Sequence, residues 1–467
     1  MNVIRRCLAP AVLFAALALA PLRAQDPPTL LPTGSGDPLW WDTFISCVDA
    51  LERFTGPRLP EWVVRTAPLS YRSRRPLYDR EGHPLPDGAG GQATEPCHQS
   101  GRYFLPPAWR VGRGAALPLV IYNHATTLAK DQVPSTFQGH EWIFGAAAAA
   151  YYGFAVVMPD QPGMGGDAVA THPYLHARSL GHAVVDAIGA ARDALATDPY
   201  ARTHGYAWDG RVFLIGYSEG GFASLAAAKE LEARKAEFGG EADFLLAGTA
   251  CLAAPVDLPG AVRRMVLEPS RPFSHPFFLP YLVIAWHEVY GPVMDPLEVL
   301  APRLLESRTD GNILQWMDGT RGGDAADMRI AQRMGAAPCQ VVLRTLLSPA
   351  WVARNLEEPG YATSPFRAVL EENDVSGGWA PTRPLFFGQS LDDQEVPPAI
   401  AQRALDRFSE AIRAEGRDPD RLLSFKAVAA EGSGVDHVKG TILALPAAFD
   451  WIHRGGPPVG RPPTARR

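Results

Sequence analysis

The stretch Arg211–Glu230, RVFLIGYSEGGFASLAAAKE, sets an apolar run against Gly-Tyr-Ser-Glu-Gly-Gly and continues into an alanine-rich segment. Ser218 is either a reactive nucleophile on a sharp turn or one more serine in a glycine loop. The bare pattern G-x-S-x-G settles little. With glycine at 44 of 467 positions, it is expected by chance ~0.2 times in a chain of this length. Context carries more weight. RVFLIG reads as a strand and GFASLAAAKELEARK is built from strong helix formers. A serine between them would sit at the head of a helix, whose first N–H groups face developing negative charge. Gly216, Gly220 and Gly221 would let the backbone bend sharply and the helix pack close to the strand.

Working outward, three more apolar runs end in polar or glycine-rich loops: LPLVIYNHATT (117–127), FAVVMPDQPGMGG (154–166) and FLLAGTACLAAPVD (244–257). Helical stretches at 139–152, 178–196 and 221–238 alternate with them. Two extended segments, EWVVRTAPLSYRSR and GRYFLPP, precede them, and a helical period spans 40–54. Continuous apolar strands alternating with helices predict an α/β fold, a mostly parallel sheet with helices on both faces. Ligands of such sheets bind at the carboxyl ends of the strands. From about Pro259 to Pro381 the rhythm breaks into a helical, aromatic segment that includes HPFFLPYLVIAWHEVYG and reads as an inserted cap. Its aromatics either line a pocket for an apolar group or form the cap's own core. The strand rhythm returns at RPLFFGQ and RLLSFKAVAA, with a last helix near 438–453.

The expected organisation is a signal peptide at 1–24, a first core part at 25–258, a helical cap at 259–381 and a second core part at 382–467. Arg5 and Arg6 precede an apolar run from Leu8 to Ala20, and cleavage near Ala24 would leave a secreted or periplasmic chain. A retained anchor is the alternative. Cys47, Cys97, Cys251 and Cys339 would then meet an oxidising compartment, where two disulfides in any of three connectivities are open to them. Cys47 and Cys251 also read as buried thiols. The net charge of −6 and scattered basic residues exclude a nucleic-acid stripe. No CxxC or HExxH spacing suggests a metal, so neither a metal nor an organic cofactor is expected.

A serine nucleophile needs a base, and the base needs a carboxylate. PLFFGQSLDDQEVPP places Asp392 and Asp393 just after a strand, and FKAVAAEGSGVDHVKG places His437 in a glycine loop after the next one. Asp257, in APVDLP, is a third candidate acid. The order Ser, Asp, His is that of the α/β-hydrolases. On these residues the chain resembles an α/β-hydrolase, and within that fold the secretory lipase and esterase group. The resemblance favours Asp393 over Asp392, because Val396-Pro397 follows it at the family spacing. THPYLHARSLGHAVVDAIGAARD is similar to the His-Pro-Tyr segment of such lipases, with His172 and His176 in structural places. It implies oxyanion donors at the backbone N–H groups of Glu219 and Thr126, although Ala125 stands where many relatives have glycine. The implied function is a serine carboxylic-ester hydrolase that works through an acyl-enzyme on Ser218. Its substrate would be a small-molecule or lipid ester, with lipid contact through the cap. A serine peptidase or acyltransferase on the same fold, or a non-catalytic binding protein, are the alternatives.

Overall fold

The computed structural model describes residues 64–139, 141–167, 170–233, 245–268 and 271–456. The signal peptide, the helical period at 40–54 and Cys47 lie outside the described residues. Eight strands form one sheet: β1 (Arg65–Pro76), β2 (Thr94–Leu105), β3 (Ala116–Asn123), β4 (Ala155–Pro159), β5 (Ala207–Tyr217), β6 (Leu245–Leu252), β7 (Leu385–Ser390) and β8 (Leu423–Ala429). Their spatial order is β1-β2-β4-β3-β5-β6-β7-β8. From β4 to β8 every neighbouring pair is parallel. β2 runs antiparallel to both β1 and β4.

The central strands are apolar on both sides, as a sheet covered on two faces requires. In β5, Phe213, Leu214 and Ile215 are all buried. One face packs against α1 (Trp142–Ala147) through Trp142, Ile143 and Ala146, and against α9 (His437–His453) through Leu445, Phe449 and Trp451. The other packs against α2 (Ala177–Thr197), α3 (Glu219–Ala233) and α8 (Pro398–Ala414), with Val184, Phe222, Leu225 and Phe408 in its core. Between β6 and β7 the chain leaves the sheet for a helical insertion, the segment that the sequence reading calls a cap. Its longer helices are α4 (Leu258–Leu267), α5 (Phe278–Tyr290), α6 (Gly323–Met334) and α7 (Pro365–Glu372).

Most of the cap's aromatic residues are its own interior. Trp286, Tyr290, Trp316 and Trp351 are buried and continuous with the core beneath them. Among the described residues no helix is long and apolar enough to cross a membrane.

The cysteines correct an expectation. Cys97, Cys251 and Cys339 are all free thiols. Any two-disulfide scheme for four cysteines must pair two of these three, so that framework is not formed. Cys251 is buried in β6, where its thiol faces the Gly221 carbonyl at 3.4 Å and burial pushes it well above the ordinary thiol range. Cys339 is exposed and Cys97 lies half-covered on β2.

Candidate active site

β5 ends at Tyr217, and α3 begins two residues later at Glu219. The single residue between them, Ser218, takes a left-handed backbone with φ of 54°. For a side chain other than glycine such a conformation costs of order 1–3 kcal/mol and persists only when its surroundings fix it. Here Ser218 N donates to Leu252 O of β6 at 2.8 Å, and Phe222 N donates back to Ser218 O at 3.1 Å. The glycines make room for the turn. A Cβ on Gly220 would run into the Asn123 carbonyl oxygen, and one on Gly216 would collide with the Gly220 backbone. A Cβ on Gly221 would stand 2.8 Å from that of Ala254.

The carboxyl ends of four strands converge on this turn. The His437 imidazole, on the first residue of α9, lies with Nε2 3.0 Å from Ser218 Oγ and Nδ1 2.7 Å from Asp393 Oδ2. The other Asp393 oxygen accepts the Glu395 and Val396 N–H groups at 3.0 and 2.9 Å, so the turn leading to Val396-Pro397 fixes the carboxylate. Tyr217 donates its hydroxyl to the His437 carbonyl at 2.5 Å and holds the start of α9. Ser218, His437 and Asp393 are all buried.

The other two candidate acids lie elsewhere. Asp392 accepts from Gly432 N, Gly434 N and Ser433 Oγ and so shapes the loop before His437. Asp257 caps α4 at Gly260 N and pairs with Arg403 at 2.6 Å, with Arg264 and Arg407 beside it.

The two expected oxyanion donors belong to different strand ends. Glu219 N is the first amide of α3, where no carbonyl precedes it in the helix to accept. Thr126 follows β3 in the loop that starts at His124. Ala125 does not have the positive φ that would call for glycine, and its N–H is taken by Glu141 Oε1 at 2.9 Å. Glu141 is fixed in turn by the Tyr122 hydroxyl at 2.6 Å, and burial raises its carboxyl above the ordinary value. Glu141 was not legible as a site residue, since its contacts reach back across 16 and 19 positions.

The Glu219 side chain points inward rather than to solvent. Its Oε1 meets His172 Nε2 at 2.7 Å, and both residues are buried. His176 sits between Ser179 Oγ and the Tyr78 hydroxyl, each at 2.8 Å, and burial pushes its imidazole down to about 3.

The cap reaches the site through α5 and the segment before it. The Tyr281 hydroxyl donates to Thr127 O at 3.4 Å, and its ring stacks on Tyr174 at 5.0 Å and on His172 at 5.9 Å. His275 Nδ1 bonds Asp327 Oδ2 at 2.9 Å, while its Nε2 faces Glu395 Oε1 at 3.7 Å. Arg271 donates to the Gln394 carbonyl. His275, Asp324 and Asp327 bring three possible metal-ligand atoms within 4.8 Å of one another. Asp327 is already engaged by His275 and by Phe277 N at 2.8 Å, which makes the group a clasp for the 275–277 turn.

Fold and geometry together invite comparison with known proteins. Residues 135–266 match the family described as Secretory lipase. Among solved structures, a Legionella pneumophila chain is 21% identical, with 88% of this chain and 94% of that one covered and a TM-score of 0.63. The rice cell wall degrading esterase LipA from Xanthomonas oryzae is 21% identical over 87% and 94%, with a TM-score of 0.62. The chain has the α/β-hydrolase fold. Candida antarctica lipase A in its closed state is a more distant likeness in fold, at 16% identity over 87% and 85% and a TM-score of 0.51. No curated protein sequence matches the chain. The segment that resembles the secretory lipases runs from before α1 into α4. It therefore contains the Ser218 elbow and His172.

The titration of the base gives a direct check. Burial pulls the His437 imidazole down, but the Asp393 charge and hydrogen bond, with Glu395 behind them, more than offset it. The net shift is upward from 6.5. An imidazole must be neutral to accept the serine proton, so kcat/KM is expected to rise with pH through a pKa above 6.5 and to vanish on acidification. A pH–rate profile of ester hydrolysis measures it, and a flat acid limb would contradict His437 as base.

Proposed function

We propose that the protein is a secreted serine hydrolase of carboxylic esters that works through an acyl-enzyme on Ser218. The observation that carries the reading is the continuous hydrogen-bonded line from Ser218 Oγ through His437 to Asp393, with the serine on a strained turn at the head of α3. His437 Nε2 takes the Ser218 proton as Oγ attacks the ester carbonyl. Asp393 keeps the other ring proton on Nδ1 and stabilises the imidazolium. The Glu219 and Thr126 N–H groups receive the oxyanion, where preorganised donors contribute most. His437 then protonates the leaving alcohol, and water, activated by the same base, cleaves the acyl-enzyme.

The match to the secretory lipases over the elbow and the LipA and lipase A likenesses favour an ester over a peptide substrate. Secretion rests on the Arg5-Arg6 and Leu8–Ala20 pattern with cleavage near Ala24. The segment 259–381 is read as the cap of the acyl side, and Leu297, Leu314 and Met328 are the exposed apolar groups it offers to a lipid surface. The test is a fluorophosphonate probe read by mass spectrometry, beside turnover of p-nitrophenyl esters and peptide p-nitroanilides. The expected result is a stoichiometric adduct on Ser218 and ester turnover far above peptide turnover. A folded protein that neither labels nor cleaves esters would overturn the reading.

A further inference from the structure

Taking Glu219 and Thr126 as the oxyanion donors, a reading that rests on the proposed function, raises a mechanical question. The two amides come from different strand ends, and their separation must be held to a fraction of an ångström. A buried relay connects them. Glu219 Oε1 bonds His172 Nε2 at 2.7 Å, and His172 Nδ1 donates to the Pro162 carbonyl at 2.6 Å. One residue earlier in the same loop, Gln161 Nε2 donates to the His124 carbonyl at 2.9 Å, two residues before Thr126. Gln161 itself holds a left-handed φ of 71°, which aims its amide back at β3. Glu219, His172, Gln161 and His124 are all buried. On the outer side Tyr281 of the cap stacks on His172 and bonds Thr127 O, so the relay is closed above as well as below.

We propose that His172 and the Glu219 side chain are positioning residues for ester hydrolysis, bracing the two oxyanion donors at a fixed separation through the 161–172 loop. Proton accounting supports a dedicated pair. A carbonyl only accepts, so His172 Nδ1 carries hydrogen, and one further proton lies between Nε2 and Oε1. The second Glu219 oxygen, Oε2, is buried with no partner. Such an atom opposes folding, whereas a backbone N–H at this position requires no carboxylate at all. What the arrangement secures is the orientation of the first peptide of α3.

Three variants test this: Glu219→Ala, His172→Phe and Glu219→Gln. The first two break the hydrogen bond, and His172→Phe keeps a ring against Tyr281. Each is expected to lower kcat about 10- to 100-fold with KM within about twofold, because a displaced donor is felt mainly in the transition state. The Ki of an alkyl boronic acid, which forms a tetrahedral adduct on the serine, is expected to rise in step with the fall in kcat. In Glu219→Gln an amide N–H can donate to the Nε2 lone pair of neutral His172, so most of the loss seen in Glu219→Ala is recovered. Circular dichroism and the thermal midpoint establish that each variant is folded, and His172→Phe carries the test if Glu219→Ala is not. Folded variants with wild-type kcat and boronate Ki, or with a raised KM at unchanged kcat, would overturn the brace. A wild type that fails to label with fluorophosphonate would instead overturn the serine-hydrolase reading beneath it.

Discussion

Ser218→Ala is expected to lower kcat for ester hydrolysis by ~10⁶-fold, because the nucleophile and its base act as one unit whose loss leaves only binding and oxyanion stabilisation. The fold should be nearly indifferent. Among the described residues the Ser218 hydroxyl is engaged by His437 Nε2 alone, at 3.0 Å. The backbone bonds that hold the turn, to Leu252 O and from Phe222 N, need no side chain. The thermal midpoint is therefore expected to move little while fluorophosphonate labelling disappears. Initial-rate assays at high enzyme concentration, with intact-mass measurement of the phosphonate adduct, check both halves. A folded Ser218→Ala protein with turnover within a decade of wild type would mean that another group attacks the ester.

Asp393→Asn is expected to cost ~10⁴-fold in kcat, the scale for a base held in the wrong tautomer. The geometry says why the amide should land the wrong way round. Asp393 Oδ1 accepts two backbone N–H groups, from Glu395 and Val396. An amide oxygen would keep that place and turn its NH₂ toward His437 Nδ1. The ring then carries its proton on Nε2, facing Ser218 with nothing to accept the serine hydrogen. Removing the carboxylate charge also removes the largest influence that raises His437, so the residual acid limb should shift to lower pH. Asp392→Asn is the matched control. Among the described residues its side-chain hydrogen bonds go to residues 432–434, so kcat should stay within the same decade. The reverse ranking of the two variants would transfer the acid's role to Asp392.

The sheet and the elbow were legible because their determinants are local. Apolar runs 211–216 and 384–388 announce strands, and glycines at 216, 220 and 221 announce a turn that admits no Cβ. The order of Ser218, Asp393 and His437 along the chain could be read for the same reason, each following a strand. What escaped depends on distance through space. Nothing beside Glu141 in sequence points to Tyr122, and nothing beside Glu219 points to His172, 47 positions away. Glu395 looks like an ordinary surface carboxylate, yet it is buried near His275, and burial raises it above its usual range. The choice between disulfides and buried thiols turned on the same ground. Cysteine count and compartment say what chemistry is open, but pairing requires proximity, and Cys97, Cys251 and Cys339 remain free.

The ties made by the cap carry a consequence for engineering. Tyr281 ends on the loop of Thr126, while His275 and Arg271 end on Glu395 and Gln394, next to Asp393. The cap is therefore not an interchangeable module. A graft that imports the cap of a relative to change substrate range would also exchange the anchors of the loops on which the chemistry stands. Such a chimera should be built with residues 271–281 retained from the parent and the seam moved into the helices beyond.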